Sequence, residues 1–118
     1  MRYLCLIYSD ESMWQKAPKS DLDKMMSEYK AFGDGIKKSG HYVGGARLEP
    51  THAATSIRIR NGKTSATDGP FAETKEQLGG FYLIEGRDLN DAIQVASRIP
   101  GAKVGTIEVR PIAPTPAD

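Results

Sequence analysis

The opening segment, Met1-Arg2-Tyr3-Leu4-Cys5-Leu6-Ile7-Tyr8, constrains the fold more than any other part of the chain. Side chains of an extended strand alternate between two faces. Here both faces are apolar, with Leu4, Leu6 and Tyr8 on one and Tyr3, Cys5 and Ile7 on the other. A strand of this kind needs cover on both sides. Phe81-Tyr82-Leu83-Ile84 has the same character between Gly79-Gly80 and Gly86-Arg87. We expect it to pair centrally with the first strand.

Between and after these strands the pattern changes period. Leu22, Met25, Met26, Tyr29, Phe32 and Ile36 recur at spacings of three and four, which predicts a helix with one apolar stripe and with Asp23, Lys24, Glu28, Lys30 and Lys37 outward. Ser20 is the expected N-cap, with Asp23 completing a capping-box-like pair, so the helix should start near Asp21. Lys37, Lys38 and Gly40 suit its C-terminal end. Residues 42–48 read as a second strand in which Gly44-Gly45 marks a bulge or a close backbone approach. Residues 55–60 alternate Ile57 and Ile59 against Ser56, Arg58 and Arg60, and Asn61-Gly62 is a two-residue hairpin signal leading into 63–67. Asp88 is the expected cap of a second helix carrying Leu89, Ala92, Ile93 and Ala96, which must stop at Pro100-Gly101. Residues 106–112 form the last strand, and the Pro114 and Pro116 tail cannot continue a ladder.

This order is the split β-α-β pattern with an extra hairpin before its second half. It predicts an α+β, ferredoxin-like sheet in one domain over residues 1–112, followed by a mobile tail at 113–118. Two helices cover only one face of such a sheet, while both central strands are apolar on both faces. Left wet, the second face loses roughly 25 cal/mol for each Å² unburied, so a second copy packed sheet to sheet is the expected cover, enclosing a dimeric α+β barrel.

Charge excludes some partners. Sixteen Lys and Arg nearly cancel fifteen Asp and Glu in a chain of 118 residues, and no basic face interleaved with aromatics argues for nucleic acid. No apolar run approaches the roughly 20 residues of a transmembrane helix, and the N-terminal apolar stretch is too short for a signal core. No membrane contact and a cytoplasmic location are the expectations. The single Cys5 lies in the apolar first strand and is expected to be inert packing.

Residues 68–80, Asp-Gly-Pro-Phe-Ala-Glu-Thr-Lys-Glu-Gln-Leu-Gly-Gly, run directly into the strand at 81. This run closely resembles the signature of the DGPF branch of the YCII-related family. The resemblance extends to the opening strand, to Ser56-Ile57-Arg58-Ile59-Arg60-Asn61-Gly62-Lys63, and to Ile107-Glu108-Val109-Arg110-Pro111. It implies a dimeric α+β barrel similar to that of muconolactone isomerase. For function it implies only that an enzymatic role in a cleft has been proposed and that some members occur beside sigma-factor genes. Smaller YCII-like members carry a His near the start of helix 1, thought to pair with an Asp. This chain has Asp21-Leu22-Asp23-Lys24 there, so that pairing does not carry over.

The motif supplies the candidate chemistry. Asp68 is either a general base or a turn aspartate; Glu73 and Glu76 with Lys75 between them offer acid, base and cation, or a solvated charge cluster. Asp68, Glu73 and Lys75 are the catalytic candidates, and Phe71, Glu76, Arg60 and His41 the substrate-binding ones. Arg58 and Arg60 share the hairpin's polar face, where they suit a substrate carboxylate or water. His41 and His52 titrate near neutrality when unperturbed. Neither sits at metal-ligand spacing with Cys or carboxylates, so no metal is expected. No GxGxxG or P-loop surrounds Gly79-Gly80, so no phosphate cradle and no cofactor are expected, and a strand bulge is the better reading. Two functions stay open: a cofactor-free isomerase or lyase acting on a small molecule, and a non-catalytic ligand-binding or regulatory module linked to a sigma factor.

Overall fold

The computed structural model describes residues 1–115. In chain order it contains β1 (Arg2–Ser9), α1 (Glu11–Lys16), α2 (Lys19–Lys38), β2 (Tyr42–Arg47), β3 (Thr55–Arg60), β4 (Lys63–Asp68), β5 (Gln77–Glu85), α3 (Leu89–Ala96) and β6 (Thr106–Pro111), with short 3-10 turns at Thr51–Ala53 and Pro100–Lys103. Four strands form an antiparallel sheet in the order β2-β5-β1-β6, and β3 with β4 forms a separate two-stranded sheet. The chain is therefore α+β, and its main sheet has the interleaved strand order expected of the split β-α-β pattern. Part of the expected tail, residues 116–118, lies outside the described residues.

The register explains which face is covered. Tyr3 pairs with Ile84, Cys5 with Tyr82 and Val109, and Ile7 with Ile107. These residues share the face on which Ile36 of α2 and Ala92, Val95 and Ala96 of α3 pack, and Tyr3, Cys5, Ile36, Ile84, Val95 and Ile99 are all but fully buried there. Phe32 meets Tyr82 edge to face with ring centroids 5.1 Å apart, a favourable quadrupole geometry. Burial pushes the Cys5 thiol up to about 11, which makes it the inert packing group the sequence suggested. The opposite face carries Leu4 opposite Leu83 and Leu6 opposite Phe81, followed by Tyr8 opposite Leu78. None of these six belongs to the buried core or to the partly buried groups packed against it.

Local signals account for most boundaries. Asn61 (φ 53°) and Gly62 (φ 75°) make the left-handed turn that joins β3 to β4. Register shifts place a bulge residue at Gly79 and another at Val43, beside Gly44-Gly45. A Cβ at Gly80 would lie 2.9 Å from the Ala46 carbonyl oxygen, so β2 and β5 approach too closely there for a side chain.

The long helix departs from expectation at its start. It begins at Lys19, immediately after Pro18, whose carbonyl accepts from the amides of Asp21 and Leu22. Ser20 therefore lies inside the helix and makes no cap, and Asp23 pairs with Lys19 at 3.0 Å instead. The extended Pro18 (φ −62°, ψ 152°) sets the boundary by its fixed φ rather than by a side-chain hydroxyl. The methionine stripe is also corrected, since Met26 is 53% and Leu22 36% exposed. Met26 instead lies outside the core, with its sulfur 3.3 Å from the Arg47 guanidinium at the end of β2. A further helix, α1, was not expected; Asp10 caps it by accepting from the Ser12 amide at 3.0 Å.

Candidate functional site

The site is built where the end of α2 meets the start of α3. At the α2 end the His41 amide donates to Ile36 O at 2.9 Å and the Gly40 amide to Lys37 O at 3.2 Å, with Gly40 at φ 81°. That pair of bonds is a Schellman motif, which needs the left-handed residue at Gly40 and leaves His41 as the next residue out. The His41 carbonyl accepts from the Glu85 amide at 2.8 Å, so its backbone is tied to the last residue of β5.

At the α3 start Asp88 is the cap and accepts from the Asp91 amide at 2.8 Å. Asp91 then turns its carboxylate back over the helix end. Its Oδ2 accepts from the Arg87 amide at 3.0 Å, its Oδ1 from the Arg87 guanidinium at 3.3 Å, and His41 Nε2 lies 3.2 Å from Oδ2. Asp91 is the buried charged residue among those described, at 7% exposure. The Arg87 amide and then its guanidinium, with a smaller contribution from His41, hold its carboxyl down to about 2, against an ordinary 3.8. It is an anion at every physiological pH.

The imidazole is bonded at both ends, because Ser39 Oγ lies 2.7 Å from His41 Nδ1. An ionised Asp91 only accepts, so Nε2 carries the proton. In the neutral ring Nδ1 then accepts from the exposed Ser39 hydroxyl. The resulting chain, Ser39 to His41 to Asp91, borders an open cleft of about 560 Å³ lined also by Met1, Glu85, Gly86 and Arg87. A buried carboxylate that fixes an imidazole with Nε2–H toward itself leaves the lone pair of the other ring nitrogen turned outward, the arrangement of a proton acceptor.

The motif residues lie elsewhere. Asp68 ends β4, pairs through its backbone with Thr55 and is exposed, so it is a strand residue and not a turn aspartate. Glu73 and Lys75 are exposed in the following loop, and Phe71 is 84% exposed. Glu76 is half-buried and accepts from the Thr106 hydroxyl at 2.8 Å. Arg60 sits at the hairpin tip, opposite Lys63, with its guanidinium on Ile59 O at 3.0 Å. Five residues of strand, roughly 16 Å, separate it from Asp68 at the hairpin base. His52 is exposed in the 3-10 turn before β3. Asp68 thus ends β4, Phe71, Glu73, Lys75 and Glu76 follow in the loop before β5, Arg60 stays at the far end of the hairpin, and His41 lies at the other end of β5. Asp91, Ser39 and Arg87 were absent from the sequence-derived set. The signals for them were the Asp88-to-Asp91 cap spacing and the Ser39-Gly40-His41 helix end.

An antiparallel α+β sheet with helices on one face, and a titratable cleft between two helix ends, describes a class of small domain that comparison can place. A profile of the YCII-related domain matches residues 1–116, and the chain belongs to that family. It is also similar to the uncharacterized protein R00369 of Rhizobium meliloti (strain 1021), at 41% identity over 115 residues, 96% of this chain and 93% of that protein. Among the described residues no helix is long and apolar enough to cross a membrane.

Proposed function

We propose that this YCII-related chain, of the DGPF branch by its run at 68–71, is a cofactor-free acid–base catalyst of isomerase or lyase type. It acts on a small molecule with an acidic carbon or a carbonyl group, and it works as two copies packed sheet to sheet. The observation that carries the proposal is the imidazole of His41 held between the Asp91 carboxylate and the Ser39 hydroxyl at the edge of an open cleft. Asp91 fixes the ring with Nε2–H toward itself. Nδ1 takes the substrate proton, directly after Ser39 swings aside or through the Ser39 hydroxyl, and returns it at the product position. The exposed Arg87 guanidinium offsets negative charge developing on a substrate oxygen. In this reading the exposed carboxylates Asp68 and Glu73, with Lys75, bind or gate rather than transfer protons.

The test is a thermal-shift screen against small lactones, hydroxylated aromatics and carboxylic acids, run on the wild type, on His41→Ala and on Asp68→Ala/Glu73→Ala. A ligand of the native state at 100 times its dissociation constant adds about 2.7 kcal/mol. The proposal expects a hit that is lost in His41→Ala and kept in the double variant, followed by turnover of that compound. A hit lost only in the double variant moves the site to the motif loop. No hit at all favours the regulatory, protein-binding reading.

A further inference from the structure

The chain leaves two apolar surfaces outside its core. One is the sheet face opposite the helices, where Leu4, Leu6, Tyr8, Leu78, Phe81 and Leu83 are half-buried. The other is the β3–β4 hairpin, which stands as its own two-stranded sheet. Ile57 lies opposite Ala66 and Ile59 opposite Thr64 on one hairpin face, and the two isoleucines are 65% and 62% exposed. Arg58, Arg60 and Lys63 are exposed too, and Arg58 and Arg60 occupy the other face by alternation. The hairpin is therefore amphipathic with its apolar side in water. An isolated two-stranded hairpin is marginal at best without something packed on it.

Shape makes the same point. A compact chain of this length has a radius of gyration of about 13–14 Å, whereas this one has 16.4 Å and extents of 48 × 47 × 19 Å. At the hairpin base the Gly69 amide donates to Ala54 O at 2.7 Å and the Ser56 hydroxyl to Gly69 O at 2.8 Å. These bonds clamp the two strands together where they leave the body.

We propose that β3–β4 is an arm that packs its Ile57/Ile59 face onto a second copy of this chain, so that each copy of a two-fold pair clasps the other. The inference rests on the sheet-to-sheet pairing proposed above and adds a distinct contact to it. Area argues for the arm. Four strands about 4.8 Å apart and six to nine residues long present roughly 400–500 Å² in projection, a small face beside the about 800 Å² of accessible surface that each partner buries in a typical stable interface. The arm adds about half as much again. A second copy is the occupant because both apolar surfaces outside the core lie on this one chain, and a two-fold axis presents each to the other molecule at once. The cationic face of the arm remains in water.

Sedimentation velocity on the wild type and on Ile57→Lys/Ile59→Lys tests this. Both side chains are exposed in the single chain, so the substitutions leave its fold intact. Burying one isoleucine contributes roughly 1.5–3 kcal/mol, so the variant should dimerise at least about tenfold more weakly. A wild-type dimer whose variant dissociates at the same concentration overturns the arm and leaves the sheet pairing standing. A wild type that is monomeric at micromolar concentration overturns the pairing and the arm together. Hydrogen exchange on the unsubstituted chain gives an independent reading. Protection across 55–66 that rises with protein concentration supports the arm, and concentration-independent exchange there contradicts it.

Discussion

The two ends of β5 border two groups of titratable residues that are organised in opposite ways. At the Glu85 end, His41 and Asp91 are fixed by the C-terminal motif of α2 and the N-terminal cap of α3, with the carboxylate buried. At the Gln77 end, Asp68, Glu73 and Lys75 are exposed and close in sequence. Nine residues of strand, roughly 26 Å from first to last, separate the two. Density of charge in the sequence marks the second region, but a defined proton position comes from the first, where the Asp91 carboxylate and the Ser39 hydroxyl hold the two ring nitrogens of His41. Acid–base chemistry depends on that definition more than on the number of carboxylates nearby.

The contrast can be broken by substitution. The largest effect belongs to Ile84→Ala, since Ile84 is fully buried beside Tyr3 and Tyr42 at the cleft end. A loss of about 2–5 kcal/mol in denaturant unfolding is expected. Gly40→Ala comes next. Space is open around Gly40, but its φ of 81° is strained for any side chain, so the cost is about 1–2 kcal/mol. His41 is displaced with it, and the substitution should weaken binding of any compound that His41→Ala also loses.

The pH dependence separates the two ends more finely. The Asp91 carboxyl is lowered to about 2 in the folded chain from 3.8. A depressed carboxyl stabilises the native state fully above the unfolded value and loses that contribution as pH falls through the folded one. Thermal stability should therefore decline between about pH 4 and pH 2 in the wild type, with that component absent in Asp91→Asn. Smallest are Glu73→Ala and Lys75→Ala, exposed changes expected to stay within about 0.5 kcal/mol in the same unfolding assay. A loss above 1 kcal/mol from either would show that the motif loop is held as firmly as the cleft.

Much of the fold was legible because its signals are local. Asn61-Gly62 gave the hairpin, Gly40 the helix end, Asp88 the cap of α3, and the apolar alternation of residues 2–8 the central strand. What was not legible needed tertiary knowledge. Met26 fits the helical stripe but sits outside the core beside the Arg47 guanidinium at the end of β2, which periodicity cannot foresee. Ser20 has the right chemistry for a cap, yet Pro18 sets the boundary earlier. His41 was singled out as a candidate, but its partner lies fifty residues away and reads in sequence as an ordinary first-turn carboxylate.

A chemical-shift map of the ¹⁵N-labelled chain, titrated with a compound that stabilises it, tests the placement of the site most directly. The largest perturbations are expected at residues 39–41 and 86–91, with the His41 ring nitrogens shifting and residues 68–76 responding weakly. Perturbations confined to 68–76, with the His41 ring and Asp91 unmoved, would contradict it.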